Sequence, residues 1–340
     1  MDAVLNTVGI TCVRDEGPWL LDWIAHHRAH GFSHFLIASH DCLDGSDRLL
    51  DALDAAGIIT HLPFTPKAGK AVQWQALRLL QDHHVYRDAD MAMFFDADEY
   101  LVLTEGATLA SLLPEGVEAV PLRWHLFGNG GHAEWIDRPV TERFTRSGPN
   151  GMPVPLGHLF KSLHRPNAFD GLGVHRPKGD AIWAFASGAK APEKFNTMAG
   201  LIHLLGVPQN EERAWLNHYS VRSVEEFILK SDRGLPNHVR KSVDAGYWAM
   251  RNFNTVEDKR IAPMLDASRS ARTALAAFDT LHDICVSYHR DRLSRLKKDK
   301  EIVDLFWQCE LMPTAVPPSG ARFMAHIEML KQAESKNTDG

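Results

Sequence analysis

Residues 91–101, MAMFFDADEYL, bring three carboxylates, Asp96, Asp98 and Glu99, into four consecutive positions directly after a wholly apolar run. In an extended segment residues two apart point the same way, so Asp96 and Asp98 converge on one point while Glu99 need not. Two crowded carboxylates raise one another's pKa unless a proton or a cation lies between them. A hard divalent ion, with oxygen ligands and free positions for phosphate oxygens, answers that need. The bland alternative is a strand-end Asp capping a turn inside a solvated acidic loop.

A second polar cluster, residues 39–46, reads SHDCLDGS. Asp41 and Asp44 on a tight loop could accept hydrogen bonds from ribose hydroxyls or a base N–H; an Asp-Gly turn with a helix cap explains them as well. Arg14, Asp15 and Glu16 carry the same double reading, because acids ahead of a helix also serve its dipole.

The elements that must position these clusters alternate. Residues 9–13 form a short apolar strand, and Pro18 then opens a helix. Leu20, Trp23, Ile24 and His27 on it follow the spacing of one buried face, and Gly31 stops it. Residues 35–38 are a second strand, Ser46 caps a helix carrying Leu49, Leu50, Leu53 and Ala56, and Gly57 ends that helix. A strand at 58–62, a helix around 72–83 and the apolar strand 91–95 follow. Strands separated by helices of this length imply right-handed crossovers and a parallel sheet, whose ligands bind beyond the carboxyl ends of the strands. All three polar clusters fall at such ends. From Val117 the pattern is less regular, with Gly- and Pro-rich loops such as 148–157. From about Ser223 it is mostly helical, and a breaker-rich joint at 313–318 precedes a last helix with Phe323, Ile327 and Leu330.

Composition narrows the class. The 340 residues are 44% hydrophobic and 24% charged, which supplies a globular core. The formal net charge of -6 argues against a nucleic-acid partner, since a phosphate-tracking surface needs a basic excess. No apolar run is long enough to span a membrane, and the start, MDAVLNTVGITCV, lacks the features of a signal peptide. Cys12, Cys42, Cys285 and Cys309 form no CxxC pair or zinc spacing, as expected of reduced thiols in a cytoplasmic protein. The basic stretch 289–300, HRDRLSRLKKDK, is either a solvated helix face or a peripheral contact with an anionic membrane.

Residues 12–46, CVRDEGPWLLDWIAHHRAHGFSHFLIASHDCLDGS, resemble the start of the branch of glycosyltransferase family 2 that also resembles family 92. That branch has a Val-Lys-Asn-Glu-like strand end, a Glu-Trp-Ile-x-x-His helix and an Asn-x-Ser-x-Asp-Gly-like loop. FFDADEYL resembles its Asp-x-Asp-Glu metal motif, and RWHLFGNGGH at 123–132 resembles its Trp-x-x-Phe-Gly-x-x-Gly segment. FKSLHRP at 160–166, VHRP at 174–177 and NHYSVRSVEEFILKSDRG at 217–234 match further elements, so the resemblance covers residues 8–235. Arg14-Asp15 stands in place of Lys-Asn, Arg222 in place of Lys, and His40-Asp41 where an Asn is usual.

The resemblance implies a GT-A, Rossmann-like α/β domain with a mainly parallel central sheet over residues 1–235. A helical extension over 236–334 and a disordered tail over 335–340 complete the chain. It implies sugar transfer from a nucleotide-diphosphate donor to a glycan or glycoconjugate acceptor, in building a bacterial-type surface polysaccharide. Manganese or magnesium would be held by Asp98, with Asp96 on the ion or the ribose and His218 reaching the ion from the far end of the domain. Arg14, Asp15, Glu16, Asp41 and Asp44 would surround the nucleotide. If transfer inverts the anomeric centre, a base must take the acceptor's proton. Glu134, after the glycines of 127–131, is the candidate, with Asp137 and His132 behind it. Trp124, Gly128, Asn129, Trp135 and His175 could line the sugar and acceptor pocket; the rings are as readily core. The rival readings are a sugar-phosphate nucleotidyltransferase, for which 14–18 is a poor phosphate loop, and a catalytically silent glycan- or nucleotide-binding module.

Overall fold

The structure, a computed structural model, describes residues 5–207, 212–234 and 243–338. Residues 7–94 alternate strand and helix. Strand β1 (Thr7–Val13), helix α1 (Gly17–Ala29), β2 (His34–Ser39), α2 (Ser46–Ala55), β3 (Thr60–Pro63), α3 (Val72–Gln81) and β4 (Met91–Phe94) build a parallel block in the order β3-β2-β1-β4. Both faces of this block are covered, and the period of two along each strand sorts its side chains. Val8, Ile10, Leu36, Ala38, Ala92 and Phe94 join the core under α3, while Phe35, Ile37, Met91 and Met93 join the core under α1 and α2. Because Val13 pairs with Ser39 and Ile10 with Phe94, the carboxyl ends of these strands open on one rim.

Ser46 is not the cap of α2. Gly45 holds that position at φ 90°, a left-handed conformation that favours glycine, and Asp44 Oδ1 accepts the Ser46 N–H at 2.8 Å.

Strands β5 (Glu99–Leu103), β6 (Ala119–Leu126), β8 (Phe160–His164) and β9 (Ala214–His218) extend the sheet to eight strands, β3-β2-β1-β4-β8-β6-β9-β5. The two-residue strands β7 (Arg146–Ser147) and β10 (Val256–Glu257) pair apart from it. Strand β8 is antiparallel to both β4 and β6, and β5 is antiparallel to β9 with Glu99 opposite His218. The sheet is thus parallel over β1–β4 and mixed beyond, and the mixed half brings residues from distant sequence to the end of β4.

The C-terminal helices fold back onto α1. Ile261, Met264 and Leu275 belong to the same core cluster as Leu20, Trp23 and Ile24, and the helix Asp279–Leu296 reaches α2 and the helix Val224–Arg233. The junction expected at 235–236 lies outside the described residues. The last helix runs Gly320–Thr338, and residues 339–340 lie outside the described residues. No helix among the described residues is long and apolar enough to cross a membrane.

Candidate active site

Asp96 and Asp98 sit in a tight turn, where the Glu99 N–H donates to the Asp96 carbonyl at 3.0 Å. The extended geometry expected to align their carboxylates is therefore absent, and each meets a different cation. Asp96, 36% exposed, takes Lys161 Nζ at 3.0 Å on Oδ2 and Gln73 Nε2 at 3.2 Å on Oδ1. Glu99 turns inward, and its Oε2 accepts the Asp96 N–H at 3.0 Å. Burial pushes Glu99 well above the usual carboxylate range, with Lys161 only partly offsetting it. For the buried Lys161 ammonium the balance is reversed: burial works against the charge, Asp96 and Glu99 together outweigh it, and the pKa is raised.

Asp98 is buried. Its Oδ1 lies 3.5 Å from His218 Nε2, and its Oδ2 accepts from Lys230 Nζ at 2.8 Å. Burial would raise its pKa, but Lys230, His218 and Arg222 together hold it well below the ordinary value. His218 is shifted down by burial, with Asp98 opposing, which favours the neutral imidazole a metal requires. Among the described residues no group of three or more His, Cys, Asp or Glu side chains is arranged to hold a metal ion. Asp98 and His218 would be the chain's ligands to an ion at this place, their nearest atoms 3.5 Å apart.

The helix Val224–Arg233 supplies most of the charge. Ser223 and Glu226 form its capping box, and Glu226, Lys230 and Arg233 then recur on one face. Arg233 Nη1 meets Glu16 Oε1 at 2.5 Å and the Arg14 carbonyl at 2.8 Å. Arg222, at φ 57°, spans from the Ala97 carbonyl (3.3 Å) to Glu16 (3.6 Å) and covers the Trp19 ring at 4.1 Å. Asp98, Arg222, Lys230, Arg233, Ser220 and Glu16 line one narrow cavity of about 20 Å³. Within it Ser220 Oγ and Arg222 Nε are buried without a hydrogen-bond partner. Lys161, Lys230 and Arg233 lie in the segments that resemble the family but were given no role from sequence, and Arg222 was noted only as standing in place of a Lys. The signal was present: Ser-x-x-Glu marks the helix start, and the 226, 230, 233 spacing puts two cations on the face of Glu226.

The other strand ends divide between bracing and exposure. Asp15, at φ 51°, accepts the N–H groups of Leu43 (2.6 Å) and Asp44 (3.1 Å). Asp44 is buried, and its Oδ2 takes Gly17 N–H at 3.0 Å and His289 Nε2 at 3.1 Å. It ties three segments together and is not turned to a ligand. Asp41, at φ 47°, has a 61% exposed side chain and pairs with His40 at 2.9 Å.

Of the expected sugar-pocket residues, Trp124 and His175 come together beside His218, with ring centroids 5.4 Å apart and Trp124 4.3 Å from His218. Burial, then Lys161, pushes His175 down to about 4. Trp135 packs on Trp19 at 6.0 Å and His289 at 6.2 Å. Gly128 and Asn129 do not reach over this site. The Asn129 N–H donates to Asn252 Oδ1 at 2.8 Å, and a Cβ on Gly128 would lie 2.3 Å from Asn254 Oδ1. His132 packs against Phe144, and Asp137 meets His282 Nε2 at 3.3 Å. Glu134 is exposed and lines neither the Asp98 cavity nor the one beside it, while its neighbours Ala133 and Trp135 both pack inward.

The profile of glycosyltransferase family 92 matches residues 7–181, just over half of the chain, from β1 through β8 and the His175 loop. The chain belongs to that family. Lys230, Arg233 and His218 lie beyond the matched span. No curated protein matches the sequence. Among solved structures, S. aureus TarS (residues 1–349) is similar at 8% identity and TM-score 0.31, covering 48% of each chain. A putative glucose-1-phosphate thymidylyltransferase from Bacillus anthracis is similar at 12% identity and TM-score 0.27, covering 48% of this chain and 72% of its own. HddC from Yersinia pseudotuberculosis is similar at 6% identity and TM-score 0.30, covering 52% and 88%. The chain thus spans about half the length of the TarS chain, and likenesses this distant bear on no question of chemistry.

Proposed function

We propose that the chain transfers a sugar from a nucleoside-diphosphate donor to a glycan or glycoconjugate acceptor, with manganese or magnesium held by Asp98 and His218. The reading is carried by Asp98, largely buried and flanked by His218 and Lys230, with Arg222 and Arg233 facing Glu16 and Glu226 in the same cavity. When bound, the ion neutralises the charge that builds on the departing diphosphate. The chain's own groups do the rest. Lys230 balances Asp98 and stands in the cavity where a phosphate oxygen can share its ammonium. Arg222 Nε and Ser220 Oγ, buried without partners, offer the donors that an arriving phosphate would accept from. Asp96, partly exposed, is positioned for the ion or a ribose hydroxyl, and Lys161 holds it in place. Trp124 and His175 present a ring wall to the sugar.

Single displacement with inversion is the expected course, and it requires an acceptor for the hydroxyl proton on the face opposite the diphosphate. Calorimetry with a panel of nucleoside diphosphates, with and without manganese, tests the reading. At least one should bind, and binding should require the metal. A panel in which none binds under either condition would sink it.

A further inference from the structure

Helix α3 follows β3, so its first turn stands at the carboxyl rim of the sheet. There Gln73 turns inward and donates to Asp96 Oδ1 at 3.2 Å. The next residue, Trp74, turns outward and is 43% exposed. Lys178 Nζ lies 5.2 Å from the centroid of its ring. Arg78, one turn on from Trp74, is exposed on the same face of the helix. An indole has more apolar area to bury than an aliphatic side chain, and left in water beside a site it offers a flat face on which the C–H groups of a sugar can pack.

Lys178 is carried by a segment that doubles back on itself. Its N–H donates to the Gly171 carbonyl and the Asp170 N–H donates to its carbonyl, both at 2.8 Å. Gly173 permits the tight return, since a Cβ there would lie 1.9 Å from the Arg176 carbonyl oxygen. Two further bonds pin the segment. The Leu172 N–H donates to Gln81 Oε1, at the far end of α3, at 3.3 Å, and Ser162 Oγ on β8 donates to the His175 carbonyl at 2.7 Å. The segment that brings His175 to Trp124 therefore also brings Lys178 to Trp74.

The chain as a whole is acidic, with a formal net charge of -6, but this border is not. Lys67, Lys70, Arg78 and Lys178 are all exposed, and among the described residues none of the four forms an ion pair with a carboxylate. Gln75 ties the lysine loop to α3 by donating to the Lys67 and Lys70 carbonyls at 3.1 and 3.2 Å. The neighbouring acids turn elsewhere: Asp96 meets Lys161, and Asp82 meets Arg87. In the doubled segment Asp170 lies against Gly179, and the charge of Asp180 acts on Arg176. A fixed aromatic face among unpaired cations suits a ligand that is both a sugar and an anion.

We infer that Trp74, Arg78 and Lys178 form a subsite for an acidic glycan acceptor, in which the ring takes the C–H face of a sugar and the two cations take its carboxylate or phosphate. The inference rests on the proposed sugar transfer and names the chemistry of its acceptor. The subsite meets the transfer site at Asp96, through Gln73, and at His175, through the doubled segment. Neither Trp74 nor Lys178 lines the Asp98 cavity or the one beside it, so a glycan bound here leaves the donor's place open.

The test is calorimetry of the full chain, without nucleotide, using trigalacturonate, phosphopentamannose and the neutral maltotriose. At least one acidic glycan should bind about tenfold more tightly than maltotriose. Trp74→Ala should weaken that binding by about tenfold, the scale of losing an aromatic anchor, and Trp74→Phe should restore most of it. Replacing both cations, Arg78→Gln with Lys178→Gln, should cost the acidic glycan about tenfold and leave maltotriose within about twofold. Metal-dependent affinity for nucleoside diphosphates should be unchanged in all these variants, which also shows that they fold. A preference for trigalacturonate assigns a carboxylate to the acceptor, and a preference for phosphopentamannose assigns a phosphate. Binding of neither acidic glycan, equal binding of maltotriose, or full affinity in Trp74→Ala overturns the subsite. Acidic-glycan binding by a protein that takes up no nucleoside diphosphate leaves the subsite standing and removes the donor reading; nucleoside-diphosphate binding without glycan binding does the reverse.

Discussion

Strands β4 and β6 each run antiparallel to β8 between them, so the turn 96–99 and the loop 127–135 leave the same end of the sheet. Both attracted notice in the sequence, one for its carboxylates and one for its glycines, but they are built in opposite ways. In the first, every acid has a buried cation or a backbone donor: Asp96 has Lys161, Asp98 has Lys230, and Glu99 has the Asp96 N–H. In the second, the glycines permit close approach of other segments. Gly128 is packed against the Asn252 and Asn254 side chains, and Gly130 N–H donates to Asn254 Oδ1 at 2.8 Å. A run of glycines at a strand end thus marks a rivet as readily as a hinge. A cluster of acids in a buried position requires counter-charges, and those counter-charges identify the site more completely than the acids do.

The largest effect should come from the first loop. Asp98→Asn removes the anion facing both His218 and Lys230. Turnover should fall by about a hundredfold to a thousandfold, the usual cost of losing one electrostatic element of an active site. Because Asp98 and Lys230 are largely buried and Lys230 keeps only the Ser220 carbonyl, the change should also cost about 1–3 kcal/mol of stability, where an exposed strand-end acid would have cost almost nothing. Urea titration and manganese-dependent nucleotide binding measure the two effects. A variant with wild-type metal-dependent affinity would remove Asp98 from the metal site.

An intermediate effect, on stability alone, should come from the second loop. Gly128→Ala places a Cβ 2.3 Å from Asn254 Oδ1 and 2.7 Å from Asn252 Oδ1. Overpacking of this order costs about 1–3 kcal/mol. The urea midpoint should drop at unchanged slope, while nucleotide affinity of the folded protein stays as it was. If affinity falls with no change in the midpoint, the loop is part of the donor site and the contrast between the two loops fails.

The parallel half of the sheet was legible because its strands are short apolar runs bounded by turn residues, and each crossover carries a helical period. The placement of Asp96, Asp98, Asp41 and Arg14 at one rim followed from topology alone. The mixed half was not legible: β8 inserts between β4 and β6, and that pairing joins residues about seventy apart that no local pattern links. Lys161 was hidden for the same reason, since a lysine in an apolar strand declares its partner only when the strand's neighbours are known. Asp44 looked like a nucleotide contact because its loop is at the right rim, but His289, some 245 positions later, claims its carboxylate.

Glu134→Gln should have the smallest effect. An inverting transfer needs a base, and Glu134 is the first carboxylate after the Gly-rich segment. For that role its carboxylate must come within hydrogen-bond reach of a hydroxyl in the pocket. The segment on either side is clamped to the start of the helix Val224–Arg233. Ala133 O accepts the Glu225 N–H at 3.0 Å, and the Trp135 N–H donates to Glu225 Oε2 at 2.7 Å. With Ala133 and Trp135 turned inward, the residue between them faces solvent, as it does here. Turning it inward would break one of those clamps. Glu134→Gln should therefore keep turnover within about threefold of wild type, well short of the hundredfold to ten-thousandfold that a positioned base supplies. Steady-state assay with the acceptor decides it. A loss of a hundredfold or more at unchanged donor affinity would show that the loop rearranges when substrates bind, and that its rivets at Asn252 and Asn254 hold only the glycine end.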